Sequence, residues 1–150
     1  VSGLIGQYAH GNEPSHHTAY FFDFAGAPWK TQEIIREIFD KEYKNYPGGL
    51  CGNDDCGQMS AWYLFSAMGF YPFNPCDDGY VFGAPQIGKV TLRLAKGRTF
   101  TVEAKGLSAA NKYVQSITLN GKPLTGIKIA HGDIMKGGSL VFEMGPQPKK

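Results

Sequence analysis

Gly52-Asn53-Asp54-Asp55-Cys56-Gly57-Gln58-Met59-Ser60-Ala61-Trp62 sets two adjacent carboxylates in a glycine-flanked turn, directly before a run that reads as a buried helix. Asp55 and Gln58 stand three apart, the spacing of an N-cap residue and its reciprocal partner at the third helical position. A carboxylate held there accepts backbone N–H bonds and faces the positive end of the helix dipole, which favours its ionised form. That state suits a general base. The run that follows, Gly57 to Met68, carries Met59, Ala61, Trp62, Leu64, Phe65, Ala67 and Met68, so it is apolar nearly all round and is expected to be covered on every side. A buried helix would fix the acids at its start to a rigid element.

Upstream, His10-Gly11-Asn12-Glu13-Pro14-Ser15-His16-His17 is a second polar turn, and it holds three of the four histidines. Asn12 or Ser15 is placed to cap a helix through Thr18–Ala25. No H-E-x-x-H is present, and His16 and His17 are adjacent, so zinc is disfavoured. Hydrogen bonding to a polyhydroxylated ligand fits these side chains better. Gly26-Ala27-Pro28 breaks that helix, and Thr31 is expected to cap the next, Gln32 to about Tyr43. Ile34, Ile35, Ile38, Phe39 and Tyr43 form its apolar stripe, with Glu37–Lys41 available as an exposed pair.

Downstream of Gly69-Phe70-Tyr71-Pro72 the period changes. Residues 73–86 read as a loop. Val90, Leu92 and Leu94 alternate with Lys89, Thr91 and Arg93, and Phe100, Val102 and Ala104 alternate with Thr99, Thr101 and Glu103. Tyr113 to Leu119, Ile127 to Ile129 and Ser139 to Met144 complete about five short strands, with Asn120-Gly121 as a hairpin turn. The fold class is α+β. Residues 1–84 form a helical part with the polar turns, and residues 85–150 form an antiparallel β region.

Composition narrows the function classes. The 150 residues are 42% hydrophobic and 19% charged, as in a folded globular chain. Residues 1–84 hold ten acids against four Lys/Arg, and residues 85–150 hold three against eleven. The basic residues are spread singly without interleaved aromatics, so they do not describe a nucleic-acid groove. No apolar run of about 18 residues spans a membrane. Cys51, Cys56 and Cys76 cannot all pair and form no C-x-x-C. Reduced cysteines in a core are favoured over a Cys51–Cys56 bridge. The chain opens on Val1-Ser2-Gly3, which reads as a mature or truncated product.

Glu13 in one turn and Asp55 in the other form a candidate pair for hydrolysing a glycosidic bond. That reaction needs one protonated carboxyl to serve the leaving oxygen and one ionised carboxyl to activate water or attack. Glu13, between Asn12 and Pro14, is the candidate acid, and Asp55 the candidate base.

His10 to His16, Lys30-Thr31-Gln32, Gly52 to Trp62, Gly69-Phe70-Tyr71-Pro72, Asn120-Gly121 and Phe142-Glu143-Met144-Gly145 together resemble the C-terminal part of family 92 glycoside hydrolases, in the same order. The resemblance implies calcium-dependent, exo-acting, inverting α-mannosidases, often α-1,2-specific. It implies a β-sandwich N-terminal to an (α/α)6 barrel, with these helices as part of that barrel. Glu13 would be the general acid and Asp55 the base, their carboxyls roughly 6.5–9.5 Å apart. His10, Asn12, His16, Asn53 and Asp54 would lie at the substrate, a mannose-containing glycan. Some relatives carry a carboxylate where Asn53 stands here, which leaves no helper acid at that position. The resemblance places no calcium ligand on these residues.

The partners implied are the missing sandwich and barrel helices, and the location periplasmic, cell-surface or secreted. The competing reading is a non-catalytic fragment, or a carbohydrate-binding or interaction module. It would self-associate as a homo-oligomer or domain swap through exposed apolar faces.

Overall fold

The structure is a computed structural model and describes residues 3–150. A two-residue hairpin, β1 (Leu4–Ile5) with β2 (Tyr8–Ala9), leads into 3-10 turns at Glu13–Ser15 and Thr18–Tyr20. Helices α1 (Phe21–Phe24), α2 (Pro28–Glu42) and α3 (Gln58–Met68) follow, with a 3-10 turn at Asp55–Gly57 before α3. Then come β3 (Phe70–Tyr71), β4 (Gly79–Phe82), β5 (Lys89–Arg93), β6 (Thr99–Lys105), β7 (Tyr113–Leu119), β8 (Lys122–Pro123), β9 (Lys128–Ala130), α4 (His131–Met135) and β10 (Gly138–Gly145).

α2 begins earlier than expected. Pro28 occupies its first turn, where a missing N–H costs nothing. Thr31 lies inside the helix, and its hydroxyl donates 2.5 Å to the buried Asp23 Oδ2 instead of capping. The stripe is as read, with Ile35 and Ile38 fully buried, and Lys41 pairs with Glu37 at 2.5 Å on the wet face. The segment expected as one helix from Thr18 splits into a 3-10 turn and the single turn of α1. Ser15 does not cap it; its hydroxyl lies 2.7 Å from both the Ala9 and the Asn12 carbonyls.

α3 ends on Gly69 at φ 94°, a left-handed cap that a side chain would strain. It is not covered all round. Met59, Trp62, Ser66 and Ala67 are buried, but Tyr63 is 40% and Leu64 58% exposed. Tyr63 still meets the rings of Phe39 and Tyr43 at 5.1 and 5.0 Å, and Leu64 is the more open of the two.

Two sheets follow. The larger runs β5-β6-β10-β7-β8, and the smaller runs β3-β4-β9. Residues 73–86, read as loop, contain β4, and the strand expected near Ile127 joins this smaller sheet, pairing Tyr80 with Ile129. The larger sheet is not wholly antiparallel, because β10 runs parallel to β6, from Gly138 opposite Phe100 to Glu143 opposite Lys105. The reason is connectivity: the chain leaves β6, makes the β7–β8 hairpin, β9 and α4, and re-enters between β6 and β7 from the far end. Asn120 (φ 51°) and Gly121 (φ 77°) both lie in the left-handed region that a two-residue hairpin turn demands.

The period-two pattern lands as read. Phe100, Val102, Ala104, Leu140, Phe142 and Met144 turn inward with Phe70, Phe82, Ile129 and Ile134 to form a dry core. The helical layer has its own cluster around Tyr20, Ile35, Ile38, Trp62 and Tyr71. The layers meet along α2: Tyr113 donates its hydroxyl to Glu33 at 2.6 Å, Val114 N–H donates to Gln32 Oε1 at 3.0 Å, and Arg36 donates to the Pro85 carbonyl at 3.1 Å.

Candidate active site

The two polar turns are brought together. A Cβ added at Gly52 would stand 2.9 Å from Gly11 Cα and 3.0 Å from the Gly11 carbonyl oxygen, so the backbones touch and only glycine fits there. A second link runs from the first residue of α3. Gln58 Nε2 lies 3.0 Å from His16 Nδ1 and 3.1 Å from the Tyr71 hydroxyl.

Beneath this contact lies a polar core. His10 and His16 are both fully buried, with rings stacked at 4.6 Å. The Tyr43 hydroxyl donates to the Met59 carbonyl at 3.0 Å, so it accepts from His10 Nε2 at 2.7 Å. His10 Nδ1 is then the bare nitrogen and takes the Tyr8 hydroxyl at 2.7 Å. His16 Nε2 donates to the His10 carbonyl at 2.8 Å, and Trp62 Nε1 donates to the His16 carbonyl at 3.2 Å. Burial, with His16 beside it, pushes His10 down to about 3, and burial lowers His16 as well. Both rings are neutral at ordinary pH.

These facts correct the expectation that His10 and His16 face the sugar. Every ring nitrogen is spent inside the protein, so the pair shapes the floor of the turns. His17 lies apart, edge-on to Phe21 and Phe73.

The acidic turn differs from the capping box read from spacing. Gln58 faces His16 and Tyr71, and it is Asp54 that caps α3. Its Oδ1 accepts Ser60 N–H at 2.9 Å and its Oδ2 accepts the Ser60 hydroxyl at 2.6 Å. Those hydrogen bonds to Ser60 hold the Asp54 carboxyl below its ordinary range. With both oxygens engaged, Asp54 holds the helix start. Cys56 (φ 53°) and Gly57 (φ 78°) bend the backbone between the acids and α3. Asp55 stays exposed with no hydrogen-bond partner among the described residues, as do the side chains of Asn12 and Asn53.

Glu13 is half-buried. Its Oε1 is sealed from solvent and has no hydrogen-bond partner. A buried acceptor left open is costly, which marks it as a place where a donor belongs. The cysteines are all free; Cys56 is exposed, against the expectation that it packs with Cys51 in a core, and Cys76 is exposed as well. Cys51 lies under the turns, where burial and the neighbouring Glu42 push its thiol up to about 11.

Spacing gave no sign of the supporting residues Tyr8, Tyr43 and Tyr71, and it read Gln58 as a capping partner of Asp55 in place of a link to His16. The available signal was compositional: aromatic residues crowd the same segments as the histidines. Among the described residues no three His, Cys, Asp or Glu side chains converge as a metal-binding group. Calcium takes six to eight oxygen ligands, and the described residues offer it no cluster of three carboxylates.

The assembled turns can be set beside known proteins. The glycosyl hydrolase family 92 catalytic domain matches residues 1–146. A family 92 α-mannosidase from Bacteroides thetaiotaomicron, solved with mannoimidazole, superposes with a TM-score of 0.94 at 43% identity, covering 99% of this chain and 20% of that one. A family 92 inverting mannosidase from the same species gives 0.87 at 45% identity over 95% of this chain and 19% of that one. An uncharacterized secreted glycosidase of Arthroderma benhamiae is 31% identical over 91% of this chain and 18% of its own. The chain thus spans about a fifth of the length of these relatives. With the family's catalytic-domain pattern running through both turns and both layers, this chain belongs to glycosyl hydrolase family 92.

Proposed function

We propose that the full-length protein containing this chain is an exo-acting, inverting α-mannosidase that releases terminal mannose from glycans, with α-1,2 linkages as the preferred class. The observation that carries the proposal is the contact of the two carboxylate-bearing turns, through Gly11 against Gly52 and Gln58 against His16. It supports a reading in which Glu13 and Asp55, one on each turn, form the two lips of one site. The bacterial relatives described as an α-mannosidase and an inverting mannosidase supply the substrate class.

In this reading a water between the lips attacks the anomeric carbon while Asp55 takes its proton. The bond from that carbon to the glycosidic oxygen breaks, and Glu13 gives the leaving oxygen a proton. Mannose departs with inverted configuration, and the two carboxyls regain their starting states by exchange with solvent. The neutral histidines add no charge to the site; they hold its floor. Asn12 and Asn53, both exposed at the lips, would hydrogen-bond the sugar. Calcium is proposed only as a requirement of the longer protein, with ligands beyond those described, and no step is routed through it. Export is proposed from the secreted fungal relative. The isolated 150-residue piece is proposed to be inactive and self-associating, because Leu64, Tyr63, Phe21 and Phe24 stand exposed on it.

The test is hydrolysis of an α-1,2-mannobiose by the full-length protein, with and without a chelator, beside Glu13→Gln and Asp55→Asn. Each substitution is expected to cost on the order of 10²–10⁴ in kcat. An aryl mannoside with a good leaving group should restore Glu13→Gln but not Asp55→Asn, since only the first lacks the proton donor. A Glu13→Gln protein that keeps kcat and raises KM would instead assign Glu13 to holding the sugar.

A further inference from the structure

Gln58 has a side-chain orientation fixed by its neighbours, and that orientation leaves one group unspent. His16 Nε2 lies 2.8 Å from the His10 carbonyl, which only accepts, so the ring proton is on Nε2. The ring is buried and neutral, so Nδ1 is a bare acceptor 3.0 Å from Gln58. The amide must therefore turn its NH₂ toward His16. The flipped arrangement would set two acceptors against each other. The second N–H is taken by the Tyr71 hydroxyl at 3.1 Å, on a ring stacked against Tyr20 at 5.1 Å. Both donors are then used inward. Gln58 Oε1 has no hydrogen-bond partner among the described residues and is not among the sealed polar atoms. It sits on the first residue of α3, three positions after Asp55, at the junction of the two turns.

We infer that Gln58 Oε1 is a fixed hydrogen-bond acceptor for one hydroxyl of the sugar held between the turns, making Gln58 a substrate-binding and specificity-determining residue. This rests on the glycosidase reading above and adds to it a contact that spacing alone did not assign. The chemistry favours a neutral hydroxyl. An amide oxygen carries no charge for a cationic partner, and it accepts readily from O–H. Because the amide cannot rotate without breaking two inward bonds, the site is built to demand a donor at that point. Such a site discriminates strongly against an analogue lacking the hydroxyl. The His10–His16 floor gains a purpose here: it sets the tautomer that sets the amide.

The experiment uses the full-length protein and an aryl α-mannoside with its four monodeoxy forms. In the unsubstituted enzyme each deoxy sugar has its own penalty in kcat/KM. In Gln58→Met, kcat/KM for the parent sugar should fall roughly tenfold to a hundredfold, and one deoxy form should lose its penalty while the other three keep theirs. Four unchanged penalties in an active Gln58→Met protein would overturn the inference and leave the glycosidase reading standing. A full-length protein that cleaves no α-mannoside would sink both.

Should Gln58→Met fail to fold, Gln58→Glu keeps an outward oxygen and regains the inward contact once His16 is protonated on Nδ1. Its activity should then fall as pH rises, with all four penalties retained. A pH profile matching that of the unsubstituted enzyme would overturn the assigned orientation.

Discussion

The helical layer and the sheet layer bury different things. The sheet core is dry: Phe70, Phe82, Phe100, Val102, Leu140, Phe142 and their neighbours bring no polar side chain inside. All the buried polar side chains named among the described residues, His10, His16, Asp23, Thr31, Gln32, Glu42 and Ser66, lie in the helical layer. An apolar core is stabilised in proportion to area and is indifferent to direction. A hydrogen-bonded core is directional, and each unmade bond in it is expensive. The sheet therefore serves as ballast, and the helical layer fixes angles. The turns that need fixed angles stand on the second kind of core.

That contrast can be broken at its strongest point first. Phe142→Ala removes a fully buried ring from the dry core and should cost about 3–5 kcal/mol in urea unfolding of the full-length protein. Below the transition kcat should stay within about twofold. A large fall in kcat at full folding would mean that the sheet, too, shapes the site.

His10→Phe is the counterpart in the polar core. It strands the Tyr8 hydroxyl and removes the partner of Tyr43, for an expected loss of about 2–3 kcal/mol, and it should lower kcat because Gly11 loses its floor. His10 also carries a sign in pH. Its folded value lies near 3, below the unfolded 6.5, so the folded state gives up protons the unfolded chain would hold. Stability is fully present above about 6.5 and falls as pH drops toward 3. The variant should flatten that limb, and an unchanged acid limb would remove His10 from this account.

Asp23 runs the opposite way and has the smallest effect of the three. Buried beside Thr31, at a cavity of about 330 Å³ on the seam between the layers, it is pushed up to about 7 by loss of solvent. The folded state then holds a proton that the unfolded chain releases near 3.9. Its contribution is fully present below that value and is lost as pH rises through 7. Asp23→Asn keeps the acceptor for the Thr31 hydroxyl and cannot ionise. It should gain on the order of 1–2 kcal/mol over the unsubstituted protein at pH 8 and nothing at pH 4, read from unfolding midpoints. A gain of equal size at both pH values would place the effect in packing.

The sequence was most informative where local rules suffice. Gln58–Met68 was bounded within a residue because a hydrophobic run sits between Gly57 and Gly69, both at positive φ. The Tyr113–Leu119 strand and the Asn120-Gly121 turn are set by alternation and by the turn's demand for positive φ. What spacing misjudged was set by distant partners. Asp55 and Gln58 have the offset of a capping box, yet His16 and Tyr71, 42 and 13 residues away, compete for the Gln58 amide, and Asp54 takes over the cap. His10 and His16 looked like surface ligands in a polar octet, but Tyr8 and Tyr43 neutralise the cost of burying His10. The contact of the two turns could not be read from Gly11 and Gly52 separately. It depends on two glycines 41 residues apart meeting at their backbones.

The placement of β10 has a consequence for how the chain is made. It is the last strand in order and the middle strand in space, with β6 on one side and β7 on the other. During synthesis the β5–β6 and β7–β8 hairpins can close as soon as they leave the ribosome, because their pairings are local. Each then offers the nascent polypeptide an open edge, and Ala104 and Ile117 wait without their neighbour Phe142 until residue 142 emerges. Closing that gap is a single late insertion, and it is the interval in which the unfinished sheet is most vulnerable to pairing with another chain.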